Sequence, residues 1–191
     1  MAVQQAWPGV VAAAQAGQEF GRTVTWYAAF SRGIRQVLDV GAMLPVPGLV
    51  SEAGRQVLRD CRVVRVASGP AAVGAEAGTG AAHVCADVRD PAALLAAAGE
   101  VLDFAAPMLV LLVSVLDFVA DDDSPARIVE NLAAVLAPGS LIAVSHLTAD
   151  QAPSQVSAGV ATWNARIPAA WRPRSRAEVA ALFGGLPLLL P

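Results

Sequence analysis

The sequence predicts an α/β fold in which a mostly parallel sheet is covered by helices on both faces. Three observations support this prediction: five short apolar segments alternate with helical patterns, the apolar segments are nearly continuous, and prolines or glycines mark several segment ends. Strands that read as unbroken apolar runs are typical of parallel sheets buried on both sides. A chain of 191 residues suffices for one such domain.

The elements follow one another along the chain in a regular order. Strands are predicted at 35–40, 62–67, 82–86, 108–116 and 141–147. Helices are predicted near 48–59, 70–77, 91–102, 124–136, 151–165 and 175–183. Asp90-Pro91 and Ser124-Pro125 each predict a helix start, because an N-cap side chain often precedes a proline at the first helical position. Gly139 predicts the end of the fourth of these helices.

These elements form a single predicted domain over residues 1–191. It comprises a short N-terminal helical segment at 1–32, a core of strands and helices at 33–147, and C-terminal helices at 148–191.

Composition and charge exclude several classes of function. A net charge of -3 without a basic cluster argues against a nucleic-acid partner. The chain is 55% hydrophobic, but its longest apolar run, at 107–116, is far shorter than the ~20 residues of a spanning helix. Because no basic region precedes the first apolar residues, we expect no secretion signal, no membrane contact and a cytoplasmic protein.

Histidine and cysteine spacing predicts no metal site. His83 and His146 lie on different predicted strands without a second ligand nearby, and Cys61 and Cys85 form no CxxC motif. We therefore expect the cysteines to be small buried side chains.

Ligands of such sheets bind outside the carboxyl ends of the strands, where the strand order reverses. Polar ends are also common simply because the sheet meets water there. The residues at these predicted ends are Asp39, Gly41, Ala67, Ser68, Asp87, Asp117 and His146.

Four phrases, in the right order, resemble a known family: "IRQVLDVGAMLP", "HVCADVRDPAALL", "LVLLVSVLDFVADDDSPARIVENLAAVLAPGSLIAVSHLTAD" and "RSRAEVAALFGGL". They are similar to the actinobacterial S-adenosylmethionine-dependent methyltransferases long catalogued as a domain of unknown function. The resemblance implies the Rossmann-like class I methyltransferase fold, and it implies that Asp39, Gly41, Met43, Ser68 and Asp87 lie where the family binds its cofactor. The final antiparallel hairpin of that fold is expected to be truncated here.

The cofactor positions depart from the family pattern at two places. Family members read roughly "LDIGSGLPT", and Met43 replaces the second glycine. They also carry an acidic phrase, "YVDNDP", whose acid binds the ribose hydroxyls; here the phrase is "RVASGP", so Ala67, Ser68 and Gly69 stand in place of its acidic stretch. Loss of one buried hydrogen-bond partner costs about 1–3 kcal/mol. We therefore predict an eroded site that binds S-adenosylmethionine weakly or not at all, although Asp87 is retained.

The catalytic and substrate-binding candidates come from other segments. Asp117 stands where the family tends to have histidine, and with His146 it is the predicted acid or base. Trp26, Tyr27 and Trp163 lie in segments that cover the acceptor in methyltransferases, so they are predicted to line a substrate pocket, although packing roles are common for such residues.

An apolar fifth strand at or near a sheet edge invites pairing, so we expect a homodimer. Three functions remain open from the sequence. One is a cofactor-independent small-molecule enzyme of actinobacterial secondary metabolism, running a cyclisation, rearrangement or elimination. The others are a methyltransferase with altered cofactor binding, and a non-catalytic partner protein.

Overall fold

The computed structural model describes residues 2–41, 61–67, 81–167 and 170–189. The chain begins with helices α1 (Ala2–Ala6) and α2 (Val10–Ser31). The remaining elements are β1 (Gln36–Val40), β2 (Arg62–Ala67), β3 (Ala82–Cys85), α3 (Pro91–Gly99), β4 (Leu109–Val113), α4 (Pro125–Val135), β5 (Leu141–Ser145), α5 (Pro153–Asn164) and α6 (Arg176–Ala181). The predicted helices at 48–59 and 70–77 lie outside the described residues.

The five described strands form one parallel sheet in the order β3-β2-β1-β4-β5. Nearly all residues of the three central strands are buried because both faces of the sheet are covered, which confirms the predicted fold class. The chain runs outward from β1 through β2 to β3 and then returns to the other side of β1 with β4. The strand order therefore reverses between β1 and β4, which places the ligand crevice at their carboxyl ends.

Alternate residues of the strands supply two separate cores. On one face Leu38 and Val40 of β1 pack in a cluster that includes Leu94 of α3 and Val129 of α4. On the other face Val37 packs in a cluster with Ala28 of α2 and other strand residues. Helix α2 thus covers one face of the sheet, while α3 and α4 cover the opposite face.

The predicted end of the fourth strand was wrong, and the predicted helix start at Ser124-Pro125 is confirmed without a capping hydrogen bond. The fourth strand ends at Val113, not at 116, because Ser114 adopts a left-handed backbone with φ 54° and a 3-10 turn follows at Leu116–Phe118. Ser124 is also left-handed, with φ 51°, and its side chain makes no capping hydrogen bond to α4. The predicted cap at Asp90 is confirmed, since its Oδ1 accepts a hydrogen bond of 3.1 Å from the amide of Ala93.

Helix α1 packs against α5 close to the crevice end of the sheet. Trp7, which follows α1, is buried, and a Cβ added at Gly159 of α5 would lie only 2.8 Å from the Trp7 Cβ. The small residue therefore permits the close packing of the two segments. Within the described residues, none of the helices combines the length and apolarity that crossing a bilayer requires.

Candidate functional site

Gly41 lies at the carboxyl end of β1, on the β1 side of the crevice. Its φ is 87°, and a Cβ built there would approach Val115 Cγ2 to 2.3 Å. Its amide donates a hydrogen bond of 2.7 Å to the carbonyl oxygen of Val66. A glycine is needed here because other residues rarely adopt this left-handed backbone and because a Cβ would collide with Val115.

Asp39 and Arg65 form a buried ion pair on the face of the sheet that α2 covers. They are register partners on β1 and β2, and Arg65 Nε donates to Asp39 Oδ2 over 3.1 Å. Their side chains are only 8% and 7% exposed. Burial raises the pKa of the Asp39 carboxyl, and the charge and hydrogen bond of Arg65 act in the opposite direction. Asp39, a predicted cofactor-binding residue, is therefore paired with Arg65 of the same chain.

Asp87 is likewise held by an arginine. The amide and Nε of Arg89 donate to its Oδ1 over 2.9 and 3.0 Å, and Nη2 donates to Oδ2 over 2.6 Å. The hydrogen bonds from Arg89 lower the pKa of the Asp87 carboxyl. Arg89 also lies 3.9 Å from Asp123, so it links the loop after β3 to the loop after β4. Both acids are partly exposed, which leaves Asp87 accessible to a ligand.

Asp117 and His146, which both lie at predicted carboxyl ends of strands, are in direct contact. His146 Nδ1 lies 2.9 Å from Asp117 Oδ1, and the two side chains are only 1% and 2% exposed. The same oxygen accepts the amide of Leu147 over 2.9 Å. The pair therefore joins the turn after β4 to the end of β5.

Arg174 contacts the other side of the imidazole. Its Nη1 lies 2.9 Å from His146 Nε2. A guanidinium can only donate, so Nε2 accepts and the proton of the neutral ring lies on Nδ1, which hydrogen bonds to the carbonyl oxygen of Leu147 over 2.9 Å. Both ring nitrogens are thus occupied by protein groups, and the imidazole has no free atom for a substrate proton in this arrangement.

Arg174 is itself fully engaged. Its terminal nitrogens donate to the carbonyl oxygens of Leu116 and Val119, each over 2.8 Å, and to Asp121 Oδ1 over 2.8 Å. The side chain is 3% exposed, and the hydrogen bond from Arg174 lowers the pKa of the Asp121 carboxyl. Sequence reasoning missed this arginine because no local pattern signals a contact with turns more than fifty residues earlier.

Ser114 and Ser145 form a hydroxyl pair at the carboxyl ends of β4 and β5. Their Oγ atoms are 3.4 Å apart, and the Ser114 amide donates to Ser145 Oγ over 3.0 Å. A Cβ at Gly17 of α2 would lie 3.4 and 3.5 Å from the two hydroxyl oxygens. The left-handed backbone of Ser114 marks a strained position next to the crevice, as functional sites often have. Sequence reasoning missed this pair, although both serines lie within predicted strands.

The predicted pocket aromatics lie in two places. Trp163 belongs to a ring cluster with Phe118 and Trp171, at centroid distances of 5.6 and 5.4 Å. Trp26 stacks on Phe30, and Trp26 and Tyr27 are 46% and 40% exposed. The structure therefore does not bring the three predicted residues into one cluster, and their pocket role stays a prediction.

Met43 and Ser68 lie outside the described residues, so their predicted cofactor contacts stay predictions. Over residues 2–41, 61–67, 81–167 and 170–189, no group of three or more His, Cys, Asp or Glu side chains could hold a metal ion.

Three of the five predicted cofactor positions, Asp39, Gly41 and Asp87, lie within the described residues. β2 ends in a buried Ala67, which offers no carboxylate for ribose hydroxyls. Asp39 is paired with Arg65, so its carboxylate charge is compensated within the chain. Gly41 has a left-handed backbone, and Asp87 is partly exposed.

Comparison with known proteins agrees with the fold described above. A family model described as S-adenosyl methyltransferase matches residues 1–191. The chain is 31% identical to a DUF574 family protein from Streptomyces avermitilis, with TM-score 0.92, covering 100% of this chain and 76% of that chain. It is 27% identical to a methyltransferase candidate from Thermobifida fusca, with TM-score 0.87 and coverage of 99% and 73%.

A more distant structure shares only the fold. The plantazolicin methyltransferase BpumL, solved in complex with SAH, is 16% identical, with TM-score 0.57 and coverage of 95% and 72%. No curated protein matches the sequence.

Proposed function

Since the chain belongs to the S-adenosyl methyltransferase family, whose model matches it from 1 to 191, we propose that its crevice has lost ordinary use of S-adenosylmethionine. The crevice then serves a small molecule in a cofactor-independent reaction such as a cyclisation, rearrangement or elimination. The proposed setting is the cytoplasm of an actinobacterium and its secondary metabolism. The Streptomyces and Thermobifida relatives support an actinobacterial source.

The observation that carries this proposal is the Asp39–Arg65 pair. Arg65 stands at the first position of the phrase that replaces "YVDNDP", so the cation is part of the same departure as the lost acids. A buried pair at 3.1 Å cannot release Asp39 to a ligand without leaving the Arg65 charge uncompensated. Ala67 removes the ribose acid beside it, so two cofactor contacts are lost in neighbouring strands.

The geometry of Asp117 and His146 favours a structural role in the crevice wall over a role in proton transfer. Their hydrogen-bonding atoms are buried and directed at Arg174 and backbone groups. The hydroxyl groups of Ser114 and Ser145 are the polar groups that we propose contact the small molecule, because they lie at the carboxyl ends of β4 and β5. A shape-selective site with few polar groups is typical of small-molecule pockets.

One observation favours a second candidate, a small-molecule methyltransferase with altered cofactor binding. Gly41 keeps the positive φ of a cofactor-binding turn, and Asp87, though bonded to Arg89, is partly exposed and has room for a further hydrogen bond. A similar fold binds SAH in BpumL. In either case we retain a homodimer in the proposal, supported by exposed apolar residues on α2.

Calorimetric titration with S-adenosylmethionine and SAH separates the two candidates. The proposal predicts no binding to the natural chain up to millimolar ligand, and a gain of binding in the double variant Arg65→Tyr, Ala67→Asp. The single variant Ala67→Asp is the matched control, because it restores the acid and leaves Asp39 paired. Micromolar binding to the natural chain contradicts the proposal and returns the protein to the second candidate.

A further inference from the structure

Helix α2 carries exposed aromatic side chains on the side opposite to the sheet. Its buried residues, Gly21, Thr25, Ala28 and Ala29, are small and face the strands. On the other side Phe30 is 63% exposed, and Trp26 stacks on it with a centroid distance of 4.3 Å and an angle of 11°. Exposed aromatic surface of this kind is typical of the centre of a protein interface.

The exposed stripe of α2 changes character along its length. A period of 3.6 residues places six exposed residues on this stripe, namely Ala12, Gln15, Glu19, Arg22, Trp26 and Phe30. The N-terminal half of the stripe carries no aromatic residue, whereas the C-terminal half carries Trp26 and Phe30. A second copy of the same helix, running antiparallel, would therefore lay its aromatic residues on the non-aromatic half of the first.

The charged residues of the stripe have the matching arrangement. Glu19 and Arg22 are exposed, and neither makes an ion pair within the described part of the chain. They lie at equal distances on either side of the point midway between Phe20 and Gly21. An antiparallel copy centred on that point would place each acid opposite a base.

We propose that the protein forms a twofold homodimer in which α2 packs antiparallel against α2 of a second copy, with the axis beside Phe20 and Gly21. A twofold interface must be complementary to itself. Here Phe30 lies level with the partner's Val11, which is also exposed, and Glu19 lies level with the partner's Arg22. Each of these contacts occurs twice, so size and charge complementarity both follow from one symmetry axis.

The size of the helix sets the strength of this dimer. A helix of 22 residues is about 33 Å long, and one pair of such helices buries less than the roughly 800 Å² per partner of a standard interface. We therefore expect a dissociation constant of about 1–100 μM and a reversible monomer–dimer equilibrium. This dimer does not depend on whether the crevice binds S-adenosylmethionine.

Sedimentation velocity over a concentration series tests the proposal on the full chain. The natural protein should shift from monomer to dimer with rising concentration, and Phe30→Glu should remain monomeric. Glu19→Arg and Arg22→Glu should each weaken the dimer about tenfold, since like charges then face each other across the axis. The double variant Glu19→Arg, Arg22→Glu should restore it, which a merely misfolded variant cannot do.

A matched control tests the competing surface. Leu188→Glu changes an exposed leucine near the C-terminus and should leave the dimer intact. The proposal is overturned by a monomer at every concentration, by a dimer that survives Phe30→Glu, or by charge reversals without rescue. Thermal unfolding of each variant should match the natural chain, because the changed side chains are exposed.

Discussion

Nη1 of Arg174 lies 2.9 Å from Nε2 of His146, and this contact sets the state of the whole buried network. The imidazole accepts from the guanidinium, and its Nδ1 donates to the carbonyl oxygen of Leu147 while lying 2.9 Å from Asp117 Oδ1. The loops after β4 and β5 are thereby joined through a residue that precedes α6.

Replacing this arginine should destabilise the fold. Arg174→Met removes donors to two carbonyl oxygens, His146 and Asp121, so we expect a loss of about 3 kcal/mol in the free energy of unfolding. Urea unfolding at neutral pH measures it. Arg176→Met, whose exposed side chain has no described partner, is the control and should change stability by less than about 0.5 kcal/mol. Equal effects of the two changes would contradict a structural role for Arg174.

The tautomer of His146 is a second expectation. Nitrogen NMR shifts of the ring at pH 8 should show protonation at Nδ1, because Arg174 occupies Nε2. The exposed-ring pattern, with the proton mainly on Nε2, would show that the contact is not formed in solution. His83→Gln identifies the second histidine signal.

Asp121 should make stability depend on acid pH. The hydrogen bond from Arg174 lowers its folded pKa below the ordinary 3.8, so the stabilisation is fully present above that value and is lost as pH falls through the folded pKa. Because the carboxylate is 54% exposed, we expect Asp121→Asn to cost only about 1 kcal/mol at pH 7. Urea midpoints at pH 7 and below pH 3 should show this difference disappearing. A difference that persists below pH 3 would exclude the ionised carboxylate as its source.

Gly41 should be far less tolerant than another left-handed glycine. Gly41→Ala combines φ 87° with a contact of 2.3 Å to Val115, whereas Gly33, with φ 67°, has nothing within 4 Å of an added Cβ. We expect a loss of about 1 kcal/mol for Gly33→Ala and about 3 kcal/mol for Gly41→Ala, measured by thermal unfolding. Adding Val115→Ala to Gly41→Ala should bring its loss of stability close to that of Gly33→Ala. If Gly41→Ala and Gly33→Ala cost the same without that change, Val115 does not press on the turn.

Gly17 should respond with opposite signs to small and large side chains. An added Cβ lies at ordinary contact distance, 3.4–3.7 Å, from Ser114, Ser145 and Val113. Gly17→Ala should therefore stabilise by about 0.5–1 kcal/mol through helix propensity. Gly17→Leu should destabilise by about 1–3 kcal/mol through overpacking. Urea unfolding of both variants decides this, and a stabilising leucine would mean that α2 lies farther from the sheet.

The sequence was most informative where local pattern and tertiary environment agree. All five described strands lie within predicted apolar segments, because central strands of a parallel sheet need apolar residues on both faces. Asp117 and His146 were predicted to converge and do contact each other. No local sequence pattern signals the third partner, Arg174. The prediction that Asp117 and His146 supply a free acid and base therefore left out the residue that contacts the imidazole.

Aromatic residues show the same limit. Trp26 and Trp163 look equally suited to a pocket, yet one lies on the outer face of α2 and the other within a ring cluster. Only the orientation of each helix relative to the sheet separates these roles, and the amphipathic contrast along α2 is weak because its buried side is made of small residues.

The network around Arg174 has a consequence for how the protein opens. Its hydrogen bonds cross from the C-terminal part of the chain to the turns that follow two sheet strands, and the amide of Arg174 also bonds to the carbonyl oxygen of Leu147. Terminal helices commonly fray before the rest of a domain. Here the amides of Arg172 and Arg174 should exchange with solvent only when the sheet unfolds, so that this C-terminal segment and the strands form one cooperative unit.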